Sequence, residues 1–229
     1  MRITYLFVSV IVVALAMTSF LSSCQKTEIA EETIDLGYDY FPTDSAWEKI
    51  YLVDSIYFND NNQSSDTFQF LLKEEFAGLA NGAGLESHRI VKQQVQFPNQ
   101  QNWEARGSYF VLKTNQNLQQ VVDNQRIIKL VFPIGNVQSW NGNAYNAQGR
   151  RNFIWQNMKV NHPIFDTSYA NSITVLEAQI NNLIEEILIR STYVKHLGLV
   201  EFTNNNLNIQ TTGVSGYKIR QRLISYTKP

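Results

Sequence analysis

The chain has 229 residues, of which 44% are hydrophobic, 12% aromatic and only 17% charged. This balance predicts a folded domain with a sizeable core and excludes an intrinsically disordered chain. The formal net charge is −1 and no basic run occurs, so the composition argues against nucleic acid as a partner.

The first 23 residues have the pattern of a secretory signal peptide. Arg2 supplies a positive charge, and a nearly unbroken apolar run follows from Tyr5 to Met17. Leu21 then stands three residues before Cys24, with two small serines between them. This arrangement resembles the lipobox of bacterial lipoproteins, in which the signal peptide is cut before a cysteine that carries acyl chains.

The resemblance implies that Cys24 is the lipid attachment site, bearing palmitate or similar chains at the mature N-terminus. Two other readings are an uncleaved membrane anchor, for which about 18 apolar residues would just suffice, and an ordinary cleaved peptide with an accidental cysteine. Small residues at the cut site argue against the first, and the position of the cysteine argues against the second. More than one acyl chain would anchor the protein stably in the outer membrane, on its periplasmic or cell-surface face.

Cleavage after residue 23 would leave about 206 residues, which suit one large β domain as well as two small ones. Residues 24–38 are polar and acidic without periodicity, which is typical of a flexible tether. Residues 39–229 are then predicted to form a single β-rich domain. Its stability must come from packing, because the sequence holds no cysteine besides Cys24.

Short strand patterns with turn residues between them recur along this domain. They lie at 47–58, 67–76, 89–97, 103–114, 117–132, 193–203 and 216–226, with loops expected at 77–85 and 204–213. The alternation with helices that a parallel sheet needs is missing. The pattern predicts a mainly β fold, an antiparallel curved sheet that forms an open barrel or a sandwich, with at most one short helix.

The segment 129–146 is the most characteristic part of this domain. A strand pattern ends at Pro133, and Asn141-Gly142 suits a tight turn. Here the chain resembles a family of uncharacterised bacterial lipoproteins, through motifs that follow one another in a consistent order: Tyr40-Phe41-Pro42, Leu130 to Pro133, Trp140 to Asn143, Gly198-Leu199-Val200 and Tyr217-Lys218. The family is similar to periplasmic β-rich domains of unknown function. The resemblance implies a curved antiparallel sheet and no established activity.

Residues 177–189 fit two structures. Ile180, Leu183, Ile184 and Ile187 follow the spacing of an amphipathic helix. The β-branched residues on both sides, and a turn at Asn181-Asn182, instead indicate two strands joined as a hairpin. The family resemblance favours the hairpin, and the alternative is a helix inside the curved sheet.

Local motifs for catalysis or metal binding are weak throughout the chain. His88, His162 and His196 have no partner at metal-ligand spacing. Gly213 to Gly216 misses the spacing of a nucleophile elbow by one residue. Glu74-Glu75 would point to opposite faces of a strand, and a solvated face explains them. We therefore expect no enzyme, no metal and no cofactor.

Aromatic rings and amide side chains occur together in this domain, as they do in proteins that hold sugars or amphipathic molecules. Trp140, Asn141, Asn143 and Tyr145 are the candidate ligand-binding residues for such a site. The favoured interpretation is instead that the rings fill a β core. Three functions stay open. The favoured one is a noncatalytic interaction or accessory domain with an envelope partner. The others are a binder or carrier of a lipid or glycan and a hydrolase whose site distant residues assemble.

Overall fold

Twelve antiparallel strands form one sheet that curves into a nearly closed barrel. The structure is a computed structural model and describes residues 35–43, 46–82, 85–98 and 102–227. The predicted signal peptide, Cys24 and the tether up to residue 34 lie outside the described residues. Strands make up 72% of the described part, and its helical content is one 3₁₀ turn at Tyr38–Tyr40, so the prediction of a mainly β, curved antiparallel fold is confirmed.

The strands vary in length from three residues in the seventh to 19 in the second. In chain order they are β1 (Glu48–Asn59), β2 (Ser64–Gly82), β3 (Leu85–Gln96), β4 (Glu104–Lys113), β5 (Asn117–Val122), β6 (Gln125–Val131), β7 (Ser139–Asn141), β8 (Asn152–Ile164), β9 (Thr167–Asn181), β10 (Glu185–Val194), β11 (Gly198–Gln210) and β12 (Gly213–Thr227).

The sheet consists of two meanders placed side by side. Its order is β6-β5-β4-β3-β2-β1-β12-β11-β10-β9-β8-β7, so sequence neighbours pair within β1–β6 and within β7–β12. The meanders join where the first strand pairs with the last, with Glu48 opposite Thr227. Strands β6 and β7 are left as the two edges of the sheet.

These two edges meet at a seam that we define by residues 126–131 and 139–146. The Ile128 amide donates to the Gly142 carbonyl at 2.8 Å, and Trp140 Nε1 donates to the Ile128 carbonyl at 3.0 Å. Asn146 Nδ2 donates to the Arg126 carbonyl at 2.8 Å. The bonds satisfy backbone groups that an open edge would expose, and they draw the barrel nearly shut.

Residues 35–43 form a plug at the end of the barrel where β1 begins. The His196 amide donates to the Asp39 carbonyl at 2.8 Å, and Lys113 Nζ donates to the Phe41 carbonyl at 3.0 Å. Phe41 is buried beneath these contacts. Since Lys113 and His196 lie at loops of that same end, the plug covers it. The Tyr-Phe-Pro motif therefore belongs to the plug.

An arm formed by residues 157–171, at the junction of β8 and β9, lies over strands that β8 does not pair with. His162 Nε2 is 2.5 Å from Glu201 Oε2 on β11. The Arg222 guanidinium on β12 lies 4.3 Å from the centre of the Phe165 ring. The arm thus crosses the sheet from β9 to β12.

The arm lies on the outer face of the barrel. Glu201 and Arg222 are directly opposed in the β11–β12 pairing, and their chain neighbours Phe202 and Gln221 line the interior. Because successive residues of a strand point to opposite faces, Glu201 and Arg222 point outward. Contact with the arm explains why Glu201 is nevertheless only 3% exposed.

Two predicted segments have different boundaries in the structure. The glycine-rich residues 77–85 were expected to be a loop, but β2 continues to Gly82 and β3 begins at Leu85. Residues 117–132 were expected to be one strand and form a hairpin, β5–β6, whose turn is Asp123-Asn124 with φ of 49° and 59°. Asp and Asn adopt this left-handed conformation more readily than other side chains, which explains the turn.

Two later predictions are resolved by the β9–β11 region. Residues 177–189 form a hairpin, because β9 ends at Asn181 and β10 begins at Glu185. The strand expected at 193–203 is interrupted by a turn that ends in Gly198, where φ is +80°. Residues 204–206, expected to be a loop, instead lie inside β11.

Candidate functional site

A cavity of about 190 Å³ lies inside the barrel, with residues of the plug and of both meanders in its wall. Phe41 of the plug contributes to the wall together with apolar residues of the strands, including Leu72 and Val111. The polar part of the wall includes Glu74, Lys92, Gln119, Lys129, Ser191 and Gln221. These six residues come from six different strands, so the cavity exists only when the whole sheet is assembled.

Glu74 is the buried acid of the wall, with 6% of its surface exposed. Tyr109 Oη donates to Glu74 Oε2 at 3.1 Å. Lys49 on β1 is the register partner of Glu74 on β2. Burial raises the pKa of the Glu74 carboxyl, and the charge of Lys49 and the bond from Tyr109 only partly oppose it. Burial also raises the pKa of Tyr109 well above its usual value, which keeps that phenol a donor.

Lys49 is the most deeply buried cation of the barrel interior among the described residues, with 1% of its surface exposed. Burial lowers its pKa to about 8, against the opposing charge of Glu74. Its ammonium also lies 4.2 Å from the centre of the Trp47 ring, where a cation–π interaction is favourable. Lys49 and Glu74 therefore balance each other in charge.

A second charged group links opposite parts of the barrel wall. Lys129 on β6 forms an ion pair with Glu177 on β9, and Ser191 Oγ donates to Glu177 Oε1 at 2.5 Å. Strands β6 and β9 are not neighbours in the sheet, so the ion pair spans the interior. Glu177 is satisfied by both partners, and it neutralises Lys129.

Two glutamines of the wall have buried polar atoms without a hydrogen-bond partner in the described part of the chain. Gln119 Nε2 donates to Asn117 Oδ1 at 2.7 Å, which leaves Gln119 Oε1 as an unpaired acceptor. Gln221 Nε2 is an unpaired donor. The residues are 5% and 8% exposed, and an unpaired buried polar group costs about 1–3 kcal/mol. A ligand in the cavity can supply the missing partners.

Lys92 is the third lysine of the interior. It lies opposite Glu74 in the β2–β3 pairing, and its ammonium is 5.8 Å from the centre of the Tyr109 ring. Within the described residues it has neither an ion pair nor a hydrogen bond to a carboxylate. Lys49 faces Glu74 and Lys129 is paired with Glu177, so Lys92 is the positive charge in excess at this wall.

The four residues predicted to bind a ligand lie at the seam and not at the cavity. Trp140 is 8% exposed and its indole N–H is used in closing the barrel. Asn141 Oδ1 accepts from the Asn143 amide at 3.1 Å, while Tyr145 is 53% exposed. The rings of Trp140 and Trp155 are tilted by 48° and so are not coplanar. Ligand binding at these four residues stays a prediction.

The sequence did contain a signal for the interior acid. Glu74 was expected on a solvated face, and the structure corrects this, because it is buried at the cavity wall. Phe70, Leu72 and Glu74 are spaced two residues apart along β2. Because alternate residues of a strand point to the same face, all three lie on the core face. Gln119 and Gln221 gave no comparable signal, since nothing in their local sequence tells a lining amide from an outward one.

Within the described residues, His, Cys, Asp and Glu side chains form no group of three or more that could hold a metal ion. No helix of that same part is long and apolar enough to cross a membrane. No protein-family model matches the chain, and neither the curated proteins nor the solved structures provide a significant match. The cavity is therefore the feature of the described residues that bears most directly on function.

Proposed function

We propose that this chain is a lipid-anchored outer-membrane protein, related to the envelope lipoproteins whose motifs it resembles, and that its barrel binds one small polar ligand. The anchor rests on the spacing of Leu21 and Cys24. Binding is supported by one observation, a cavity of about 190 Å³ whose wall includes two buried glutamines with unpaired polar atoms. The role is noncatalytic binding, as an accessory protein of the envelope.

The size and polarity of the cavity favour a polar ligand over an acyl chain. Burial of an acyl chain is favourable against apolar walls, whereas here it would cover the ammonium of Lys92 and the unpaired atoms of Gln119 and Gln221 without giving them partners. The cavity is smaller than the ~300–1,000 Å³ of sites for drug-sized ligands. At about 30 Å³ per water molecule, it has the volume of about six waters, which is the size of a single sugar or a comparable small molecule.

The charged groups around the cavity support binding rather than catalysis. Glu74 accepts a hydrogen bond from Tyr109, and Glu177 holds both Lys129 and Ser191. These groups fix one another in place and leave little capacity to move protons to a substrate. The amides of Gln119 and Gln221, in contrast, have hydrogen-bonding capacity to offer a ligand.

Native mass spectrometry of the full chain, purified in detergent from its envelope, tests the binding proposal. We expect one small polar compound bound per chain, and its loss when Gln119 and Gln221 are both changed to Leu. Gln125→Leu is the matched control, because Gln125 also has an unpaired buried oxygen but does not line the cavity. An empty protein, or one loaded with an acyl lipid in the cavity, would contradict the proposal.

Metabolic labelling with a palmitate analogue tests the anchor separately. The wild-type chain is expected to incorporate the label and to fractionate with the outer membrane. Cys24→Ser is expected to lose the label and the membrane association together. A wild-type chain without label would overturn the anchor and leave the cavity proposal standing.

A further inference from the structure

We propose that the ligand of the cavity is a small hydroxylated carboxylic acid, of the size and chemistry of a hexuronic acid. The inference rests on the binding function proposed above and narrows it to one chemical class. Two features carry it: the unbalanced ammonium of Lys92, and the unpaired acceptor and donor of Gln119 and Gln221.

The charges at the wall favour a ligand with one negative group. Lys129 is neutralised by its ion pair with Glu177. Glu74 has Lys49 as its register partner on one side and Lys92 on the other, so one carboxylate stands between two cations. Lys92 is half-buried at the cavity wall, where a cation is less well hydrated than in water, and a ligand carboxylate next to its ammonium completes the balance of charge.

Glu74 does not prevent an anion from approaching Lys92. Tyr109 Oη donates to the Glu74 carboxyl, and Lys49 lies beside it in the register. The ammonium of Lys92 therefore determines the sign of the potential that a ligand meets.

The two glutamines indicate hydroxyl groups on the same ligand. Gln119 Oε1 needs a donor and Gln221 Nε2 needs an acceptor. A hydroxyl group serves as either, whereas a hydrocarbon serves as neither. Asn117 holds the amide of Gln119 in the orientation that leaves its oxygen unpaired. A sugar ring that bears one carboxylate provides all three partners within the volume of the cavity.

Titration calorimetry on the full chain in detergent, with three probes, separates these requirements. Glucuronate has the ring hydroxyls and the carboxylate, glucose has the hydroxyls alone, and cyclohexanecarboxylate has a ring and the carboxylate alone. We expect glucuronate to bind at least about tenfold more tightly than either other probe. Glucose lacks the charge-assisted hydrogen bond to Lys92, and cyclohexanecarboxylate lacks the two neutral hydrogen bonds to the glutamines.

Lys92→Met keeps the length of the side chain and removes its charge. It is expected to weaken glucuronate binding at least about tenfold while leaving glucose binding unchanged. Lys73→Met is the matched control, because Lys73 precedes Glu74 on the same strand and pairs outward with Glu75. The control should bind glucuronate like the wild type, and circular dichroism verifies that both variants are folded.

The outcomes distinguish this inference from the broader proposal. Equal affinity for glucose and glucuronate would overturn the acidic ligand while confirming that the cavity binds a small polar molecule. Equal affinity for glucuronate and cyclohexanecarboxylate would overturn the role of the hydroxyl groups. A wild-type chain that binds none of the three probes overturns the inference, and the native mass spectrum then decides whether the cavity binds a polar ligand of another class.

Discussion

Three lysines of the barrel interior differ in how their charge is compensated. Lys129 has an ion pair with Glu177, whereas Lys92 lies at the cavity wall with no carboxylate bound to it among the described residues. Lys49 is buried between its register partner Glu74 and the Trp47 ring. Burial outweighs the neighbouring charge of Glu74 and lowers the pKa of Lys49, so its protonation is coupled to folding.

The stability of the protein should therefore depend on pH through Lys49. Its pKa is about 8 in the folded chain and 10.5 in the unfolded chain, so between these values the unfolded chain binds more protons. Loss of the proton removes the cost of a buried charge, and stability increases as pH rises through this window. Relative to Lys49→Met, the wild type should gain up to about 1.4 kcal/mol of unfolding free energy per pH unit.

Urea denaturation of both chains at several pH values from about 7.5 to 9.5 measures this difference. Comparison with the variant cancels the ionisation of the tyrosines, which is common to both chains. Lys73→Met, at an outward position, should follow the wild-type curve. A wild type and a Lys49→Met variant that stay parallel across the range would show that Lys49 does not carry the dependence.

Gln221 is expected to lower the stability of the ligand-free protein. Its Nε2 is buried without a hydrogen-bond partner in the part of the chain that the structure describes, and Leu has a similar volume without the polar group. Gln221→Leu should therefore raise the free energy of unfolding by about 1 kcal/mol while it removes ligand binding. Thermal denaturation of the ligand-free chain measures the change, with the exposed Gln179→Leu as a neutral control. Destabilisation by Gln221→Leu would mean that the amide is paired.

At the scale of elements, the arm is held to the outer face by a charged network. Burial of Glu201 raises its pKa, but hydrogen bonds from His162 and Arg220 outweigh burial and hold the pKa below its usual value. An acid with a lowered pKa stabilises the fold above its unfolded pKa, and it loses that contribution as the pH falls through the folded value.

Glu201→Gln should accordingly destabilise the protein at neutral pH by about 1–3 kcal/mol, because two charge-assisted bonds are weakened. The difference from the wild type should shrink in strong acid, as the pH falls below the ordinary value of 4.5 and through the lowered folded pKa of Glu201, because the carboxyl then becomes protonated in both states. Urea denaturation at both pH values measures it, and Glu104→Gln at an exposed site on β4 is the control. A difference that does not depend on pH would contradict the ionic origin.

Sequence patterning predicts the elements well where one face is apolar and the other polar. The alternation in β1 placed that strand within one residue of its ends. In β2 it placed the start within three residues, but the strand continues six residues beyond the predicted end. The β5–β6 hairpin was missed because apolar residues occur on both sides of its turn. The three asparagines at 204–206 suggested a loop. In the structure they pair with β12 as part of β11, with Asn204 opposite Ile219. Tertiary pairing overrides the turn preference of asparagine here.

At the scale of the whole molecule, the seam determines whether the barrel is closed. Trp140→Phe keeps most of the buried ring but leaves the Ile128 carbonyl without its indole donor. We expect a loss of about 1–3 kcal/mol in stability and faster hydrogen exchange of the Ile128 amide. Trp155→Phe is the matched control, because its indole donates to Val137 in an exposed setting and its loss should cost less. Equal effects of the two variants would contradict a special role of the seam.

The curved sheet could be predicted from sequence, whereas the cavity could not. The polar residues of the cavity wall lie on separate strands, and the register of the whole sheet determines whether they come together. Lys49 and Glu74, for example, are brought together by the β1–β2 pairing, and Lys129 and Glu177 by closure of the barrel. The aromatic and amide residues around Trp140, in contrast, are close together in the sequence, so they could be recognised as a group. They remain neighbours in the turn-rich seam of the structure.

The order of the strands also bears on the kinetics of folding. Each meander can grow hairpin by hairpin, and the seam joins segments that are close along the chain. The pairing of β1 with β12 is different, because it brings Glu48 to Thr227 and closes a loop of almost the whole domain. The encounter of these two strands should limit the folding rate. We expect a circular permutant to fold faster than the natural chain when the end of β12 is linked to the start of β1 and the chain is opened between Pro133 and Gln138.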